Sequence, residues 1–151
     1  MKKILIYTLL LCTFFCGCVA KSKIKIYYPD EKQEKLLSTE IYLADKSNDK
    51  DKKILEELKD NHVLKSDADI KKISFETDLN NEDDRILSID FKDDFIDLDS
   101  AGAEYENLIL KSIVKTFGEA YNVKKVKLTI NGENYESGHI AMDSGDYFDV
   151  E

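Results

Sequence analysis

As a pattern of hydrophobic and polar positions, the chain divides into an apolar leader and a longer part built of short mixed elements. Lys2-Lys3 opens it, Ile4 to Phe15 is almost wholly apolar, and Cys16-Gly17 follows. Ile24, Ile26 and Tyr28 then alternate with Lys23, Lys25 and Tyr27, the period-2 pattern of a half-buried strand, which the only proline, Pro29, closes. Glu40-Ile41-Tyr42-Leu43 is a second extended candidate. Ile54, Leu55 and Leu58 share one face of a helix whose other faces carry Lys52, Lys53, Glu56, Glu57 and Lys59. Strands over Ile70 to Thr77 and Arg85 to Phe91 follow, with Ile73, Phe75, Leu87, Ile89 and Phe91 inward. Between them Asn80-Asn81-Glu82-Asp83-Asp84 has the residue types of an exposed turn, which makes the pair an antiparallel hairpin. Leu110, Ile113, Val114, Phe117 and Tyr121 form the stripe of a longer helix. Asp99 or Ser100 is its expected cap, Gly118 weakens its end, and Asn122 suits the left-handed residue after it. Val126, Leu128 and Ile130 alternate with Lys125, Lys127 and Thr129, and Asn131-Gly132 turns the chain back toward a partner strand at Asn134 to Glu136. The order β-β-α-β-β-α-β predicts one small α+β domain, a mostly antiparallel sheet with two helices packed on one face.

The leader changes the picture of where this domain works. Its charged, apolar, small-residue order is that of a secretory signal, and an apolar run of roughly a dozen residues is short of the ~20 that span a bilayer. Cys18, directly after Cys16-Gly17, makes the segment resemble the lipobox of bacterial lipoproteins, in which the cysteine is acylated and the peptide is cut just before it. An ordinary cleaved signal and an uncleaved anchor are the other readings. The expected organisation is a signal peptide over 1–17, a tether over 18–23 and the domain over 24–151, exported and lipid-anchored to the outer face of the cytoplasmic membrane.

Charge and cysteines then narrow the classes. With the leader removed, 134 residues remain, and the loss of Lys2 and Lys3 takes the formal charge from −9 to −11. Such acidity excludes nucleic acid as a partner, since that affinity rests on Lys and Arg against phosphates. Cys12 and Cys16 leave with the signal and Cys18 is acylated, so no disulfide and no thiolate metal site is available to the mature chain.

Candidate chemistry is thin. Asp93, Asp94, Asp97 and Asp99 crowd one segment, and Asp78-Leu79-Asn80-Asn81-Glu82 begins like a calcium loop. However, Asp83 stands where that loop needs glycine, and Ile89 where it needs glutamate. The only histidines, His62 and His139, are distant in sequence, and a zinc site would need both together with carboxylates. Ser137-Gly138-His139 places a hydroxyl near an imidazole without an oxyanion-hole motif, so a structural His139 is the better reading. Tyr27, Tyr105, Tyr121, Tyr135 and Tyr147 are candidates for a sugar- or protein-binding face, although half-buried sheet and helix positions explain most of them. No catalytic, cofactor or metal residue is assigned.

Glu106 to Phe117, Val123 to Gly132 and Gly138 to Asp143 resemble the second helix, the following strand with its glycine turn, and the terminal segment of the GerMN domain. Ile24 to Pro29 is similar to its opening strand and Arg85 to Phe95 to its central strand, so the resemblance covers residues 24–143. GerMN domains occur in bacterial lipoproteins of sporulation and spore germination and beside cell-wall amidase modules. The resemblance therefore implies a membrane-tethered, non-catalytic interaction or assembly module in a spore-forming, Gram-positive bacterium. Its partner would be another envelope or sporulation protein. The alternative is a cell-envelope accessory module that binds peptidoglycan or positions a wall hydrolase. Two departures stand out: Lys65-Ser66-Asp67-Ala68-Asp69 replaces a proline-containing loop, and one domain is present where the founding member has two.

Overall fold

The computed structural model describes residues 21–44, 49–78, 81–93, 95–96 and 102–151. The strands are β1 (Lys21–Pro29), β2 (Leu36–Ala44), β3 (Ile70–Asp78), β4 (Asn81–Phe91), β5 (Lys125–Ile130), β6 (Glu133–Asn134) and β7 (Phe148–Asp149), with helices α1 (Lys50–Asp60) and α2 (Ala103–Tyr121). The architecture is the expected α+β one, and most strand pairs are antiparallel.

Three features differ from the expectation. Among the described residues the strands form two sheets, because β1 pairs only with β2 while β3-β4-β5-β6 make the main sheet with β7 beside β5. The β4–β5 pair is parallel, from Ile86 opposite Lys125 to Phe91 opposite Ile130. A helix of 19 residues, about 28 Å long at 1.5 Å per residue, returns the chain to the start of β4 before β5 begins, and this crossover makes the pair parallel. Strand β4 also starts at Asn81, so most of the expected Asn80–Asp84 turn is strand, with residues 79–80 outside the described region.

The core explains why α2 is central. Ile109, Leu110, Ile113, Val114 and Phe117 are buried, and so are the small polar residues Ser112 and Thr116. Helix α2 packs against both β1 and β5. The Tyr27 amide, on β1, donates to Thr116 Oγ1 at 2.9 Å, and Ser112 Oγ returns its proton to the Leu108 carbonyl at 2.8 Å. Each polar group on that side is therefore satisfied without water. Ile24 and Ile26 fill the β1 side, Ile54 and Leu58 come from α1, and Leu87, Ile89, Phe91 and Leu128 come from the main sheet.

Phe75 corrects the inward assignment. It is 46% exposed on β3, which among the described residues pairs with β4 alone, and its ring meets Tyr121 edge-on with the Arg85 guanidinium 4.7 Å above it. A sheet edge offers too little cover to bury a phenyl ring, so neighbouring rings and a cation shield it. The expected cap is replaced as well: Gly102 holds the N-cap of α2 without a side-chain bond, and Asp99 and Ser100 lie outside the described residues. Asn122 is left-handed at φ 52°, as its type suggested. Asn131 and Gly132 both take positive φ, 52° and 87°, as a primed hairpin turn requires.

Gly118 has a different role from helix weakening. A Cβ there would lie 2.2 Å from Val150 Cγ2, so only glycine lets the C-terminal residues lie against α2. Gly118→Ala should therefore destabilise the domain by about 1–3 kcal/mol from overpacking, despite alanine's better helix propensity. Val150→Ala in the same chain should restore part of the loss, read as a non-additive double-mutant cycle in urea.

Ile113 is fully buried in the cluster that holds Ile89 and Leu128. Ile113→Asp buries a charge with no partner and should cost at least about 3 kcal/mol, enough to unfold a domain of ordinary stability. Melting by circular dichroism checks it, and a variant that melts like the parent would contradict the packing.

Candidate functional site

The densest polar constellation lies where the first turns of α2 meet the segment after β6. Glu106 sits on the inner side of α2 and is fully buried. Tyr135, itself buried, donates its hydroxyl to Glu106 Oε1 at 2.7 Å, and His139 Nδ1 lies 2.8 Å from Oε2. An ionised carboxylate only accepts, so Nδ1 carries a proton in this contact. Burial pushes the Glu106 carboxyl up, but hydrogen bonds from Ser137, Tyr135 and His139 outweigh it and hold the group below its ordinary 4.5. The sequence placed Glu106 in the helix and gave no sign of its burial. Its charge suits the first turn of any helix, which hid its use.

Local structure explains the convergence. Glu136 bridges Ala141, and the Ser137 hydroxyl accepts from the His139 and Ile140 amides at 3.1 and 3.0 Å. This tight turn swings the imidazole, 44% exposed, back onto Glu106. Ser137 thus serves the turn and the carboxylate, and the nucleophile-and-base arrangement is not formed. His139 ties this turn to α2 through Glu106.

The remaining candidates separate. His62 stands exposed at the end of α1, and among the described residues no three His, Cys, Asp or Glu side chains come close enough to hold a metal ion. Asp78, the would-be first calcium ligand, is buried and paired with Lys125, spanning from β3 to β5 across β4. The Asp78 hydrogen bond raises the Lys125 ammonium above its usual range, and its Nζ also lies 4.2 Å over the Tyr147 ring. Asp93 is exposed, whereas Cys18, Asp94, Asp97 and Asp99 lie outside the described residues. The tyrosines do not form one face. Tyr27 is buried with its hydroxyl 2.7 Å from Glu119, Tyr135 is bound to Glu106, and Tyr121 donates to Asp51. Tyr105 remains half-exposed beside a groove.

This architecture can be set beside known proteins. A family model described as sporulation and spore germination, Germane, matches residues 25–136. The chain belongs to the Germane family. Among solved structures it is similar to the tandem GerMN domains of the sporulation protein GerM from Bacillus subtilis. That match has a TM-score of 0.59 at 19% identity, over 86% of this chain and 46% of that one. This chain thus spans about half of the tandem structure, and the likeness shows the fold. The first GerMN domain of the same protein matches at 0.49 and 20% identity, over 77% and 86% of the two chains. A candidate lipoprotein from Clostridium perfringens matches at 0.45 and 16%, over 91% and 93%. No curated protein matches. The Germane match ends at Tyr135 and Glu136, so His139 and β7 lie beyond it.

The network makes a pH-dependent prediction. Because the Glu106 carboxyl is depressed in the folded state, its stabilisation is present above the unfolded value, near 4.5, and is lost as pH falls through the lower folded value. Glu106→Gln leaves a buried donor short of an acceptor and should cost about 1–3 kcal/mol at pH 7. The gap between variant and parent should close as the pH is lowered from 5 toward 3 (on the order of the ordinary carboxylate range), followed by urea titration at each pH.

Proposed function

We propose that this protein is a non-catalytic assembly module of the sporulation or germination machinery, exported and held at the membrane by lipid on Cys18. The observation that carries the reading is the internal use of its reactive groups. Glu106, Tyr135, Ser137 and His139 bind one another, and Asp78 binds Lys125, so these side chains fasten elements together. Family membership over residues 25–136 supports the sporulation setting. The anchor reading rests on the order of residues before Cys18. Strand β1 begins at Lys21, three residues after that cysteine, so residues 21–23 of the expected tether are strand and the domain would stand directly on the bilayer. Another envelope or sporulation protein is the partner this reading calls for. Crosslinking in sporulating cells should capture a specific partner, and a deletion strain whose spores form and germinate normally would count against the sporulation role.

Each buried methylene of an acyl chain contributes about 0.8 kcal/mol of membrane affinity, and two or three chains hold a protein nearly permanently. Cys18→Ser should abolish palmitate labelling and leave residues 1–17 attached, seen as added mass. A conventional cleavable signal in place of residues 1–17, with Cys18 also changed, should release a soluble folded domain. Labelling that persists in Cys18→Ser would overturn the assignment.

A further inference from the structure

Strand β3 forms an edge of the main sheet. Among the described residues it pairs with β4 alone, in a register that is regular from Lys72 to Thr77 and shifts at either end. Along the other side of that regular stretch, alternate backbone N–H and C=O groups face no strand. Phe75 is exposed there despite the shielding of Tyr121 and Arg85. Helix α1 packs on β1 and α2 and leaves a hollow of about 380 Å3 between itself and the first half of β3. Leu55, Ile70 and Ile73 give this hollow its apolar walls. Charges of both signs ring it: Lys52, Lys71 and Lys72 with Asp51, which Tyr121 binds, and Asp69, which Lys92 binds. Ile73 and Phe75 stand on the same face of β3, opposite Ile89 and Leu87, so an exposed ring and an apolar hollow lie side by side on one edge.

The sequence of this edge is complementary to itself. Lys71-Lys72-Ile73-Ser74-Phe75-Glu76-Thr77 is basic at its start and acidic toward its end. Turned end for end about Ser74, it sets Lys72 opposite Glu76 of a second copy on the outer face of the sheet. On the core face the same turn sets Ile73 opposite Phe75 of the second copy. Directly opposed side chains in an antiparallel pair have Cβ atoms about 4.5–5.5 Å apart. The two charges can therefore pair, and each Phe75 ring stands at the hollow beside Ile73 of the other copy. A hollow well above the ~150 Å3 that admits benzene has room for that ring. A slip of one residue would set Phe75 against Lys72 or Ser74 and lose both matches. Lysine on an edge ordinarily prevents strand pairing, but here Lys72 meets a carboxylate.

We infer that a second copy of this chain docks on β3, antiparallel to it about a two-fold axis at Ser74, and joins the two main sheets into one. The contact is isologous: each copy gives one Phe75 and one hollow, so a single operation seats both rings and forms both Lys72–Glu76 pairs. Main-chain bonds along the paired edges supply affinity, and the side chains fix the register. A strand of another protein would gain the main-chain bonds without these matched pairs, which is why the edge is assigned to its own copy. The inference goes beyond the assembly role proposed above and rests on neither the lipid on Cys18 nor the sporulation setting.

All core residues lie between Ile24 and Val150, so the chain from residue 18 onward, with Cys18→Ser, carries the whole core and can be tested without lipid. Sedimentation equilibrium should show it exchanging between monomer and dimer. Phe75→Ala, Lys72→Glu and Glu76→Lys should each weaken the dimer by about tenfold, because every contact occurs twice. Lys72 and Glu76 are exposed, so the diluted charge variants should melt close to the parent. Lys72→Glu and Glu76→Lys together restore opposite charges and should recover the dimer, which a general loss of folding would not do. Ser74→Cys, then the only thiol, should give a covalent dimer with an added oxidant, whereas Lys71→Cys, placed opposite Thr77, should not. A chain that stays monomeric up to about 1 mM would overturn the proposal and leave the edge to another protein's strand. A dimer indifferent to the charge variants, or one that Ser74→Cys fails to trap, would overturn it as well.

Discussion

The burial of α2 is the constraint on which the rest of this structure depends. The face of a helix covered by β1 and β5 is closed to water, and every polar group on that face must find a partner inside the protein. Ser112 and Thr116 meet that demand with the smallest polar side chains available, which also lets β1 approach closely. The Tyr27 amide needs an acceptor at that strand, and Thr116 supplies it. A β-strand edge lying on a helix is thus satisfied by a side chain in place of another strand.

The same demand explains Glu106. A buried carboxylate is tolerated when donors surround it, and here they come from the segment after β6. The C-terminal residues are therefore part of the fold's polar accounting. His139 and Tyr135 satisfy the helix near its start, Val150 fits against Gly118 near its end, and β7 pairs with β5 between them in the chain's path over the sheet. The segment that continues past the family match completes the core that the family region builds.

How much of this was legible varied with the distance over which each signal acts. Alternation at Ile24–Tyr28 and Val126–Ile130 marked strands correctly, because strand period is local and one face of each is buried. Asn122 and Asn131-Gly132 were read correctly for the same reason: their conformations depend on their own side chains. Phe75 was misjudged because alternation gives the two faces and says nothing of where a sheet ends. Gly118 was misread because its reason, Val150, lies 32 residues away along the chain. Gln33 and His62, at φ 59° and 58°, left no trace in sequence, since neither residue type advertises a left-handed backbone.

By itself the sequence determined most of the elements, the acidic balance and the GerMN-like order, all of which follow from neighbouring residues and from composition. The tertiary structure alone decided that the strands split into two sheets, that β4 and β5 run parallel, and that Glu106 is buried between Tyr135 and His139. It alone showed that Gln33 and His62 take positive φ. Each of these turns on contacts between residues remote in the chain. Local propensity cannot carry that information, because burial and partner geometry exist only once the helix has been covered.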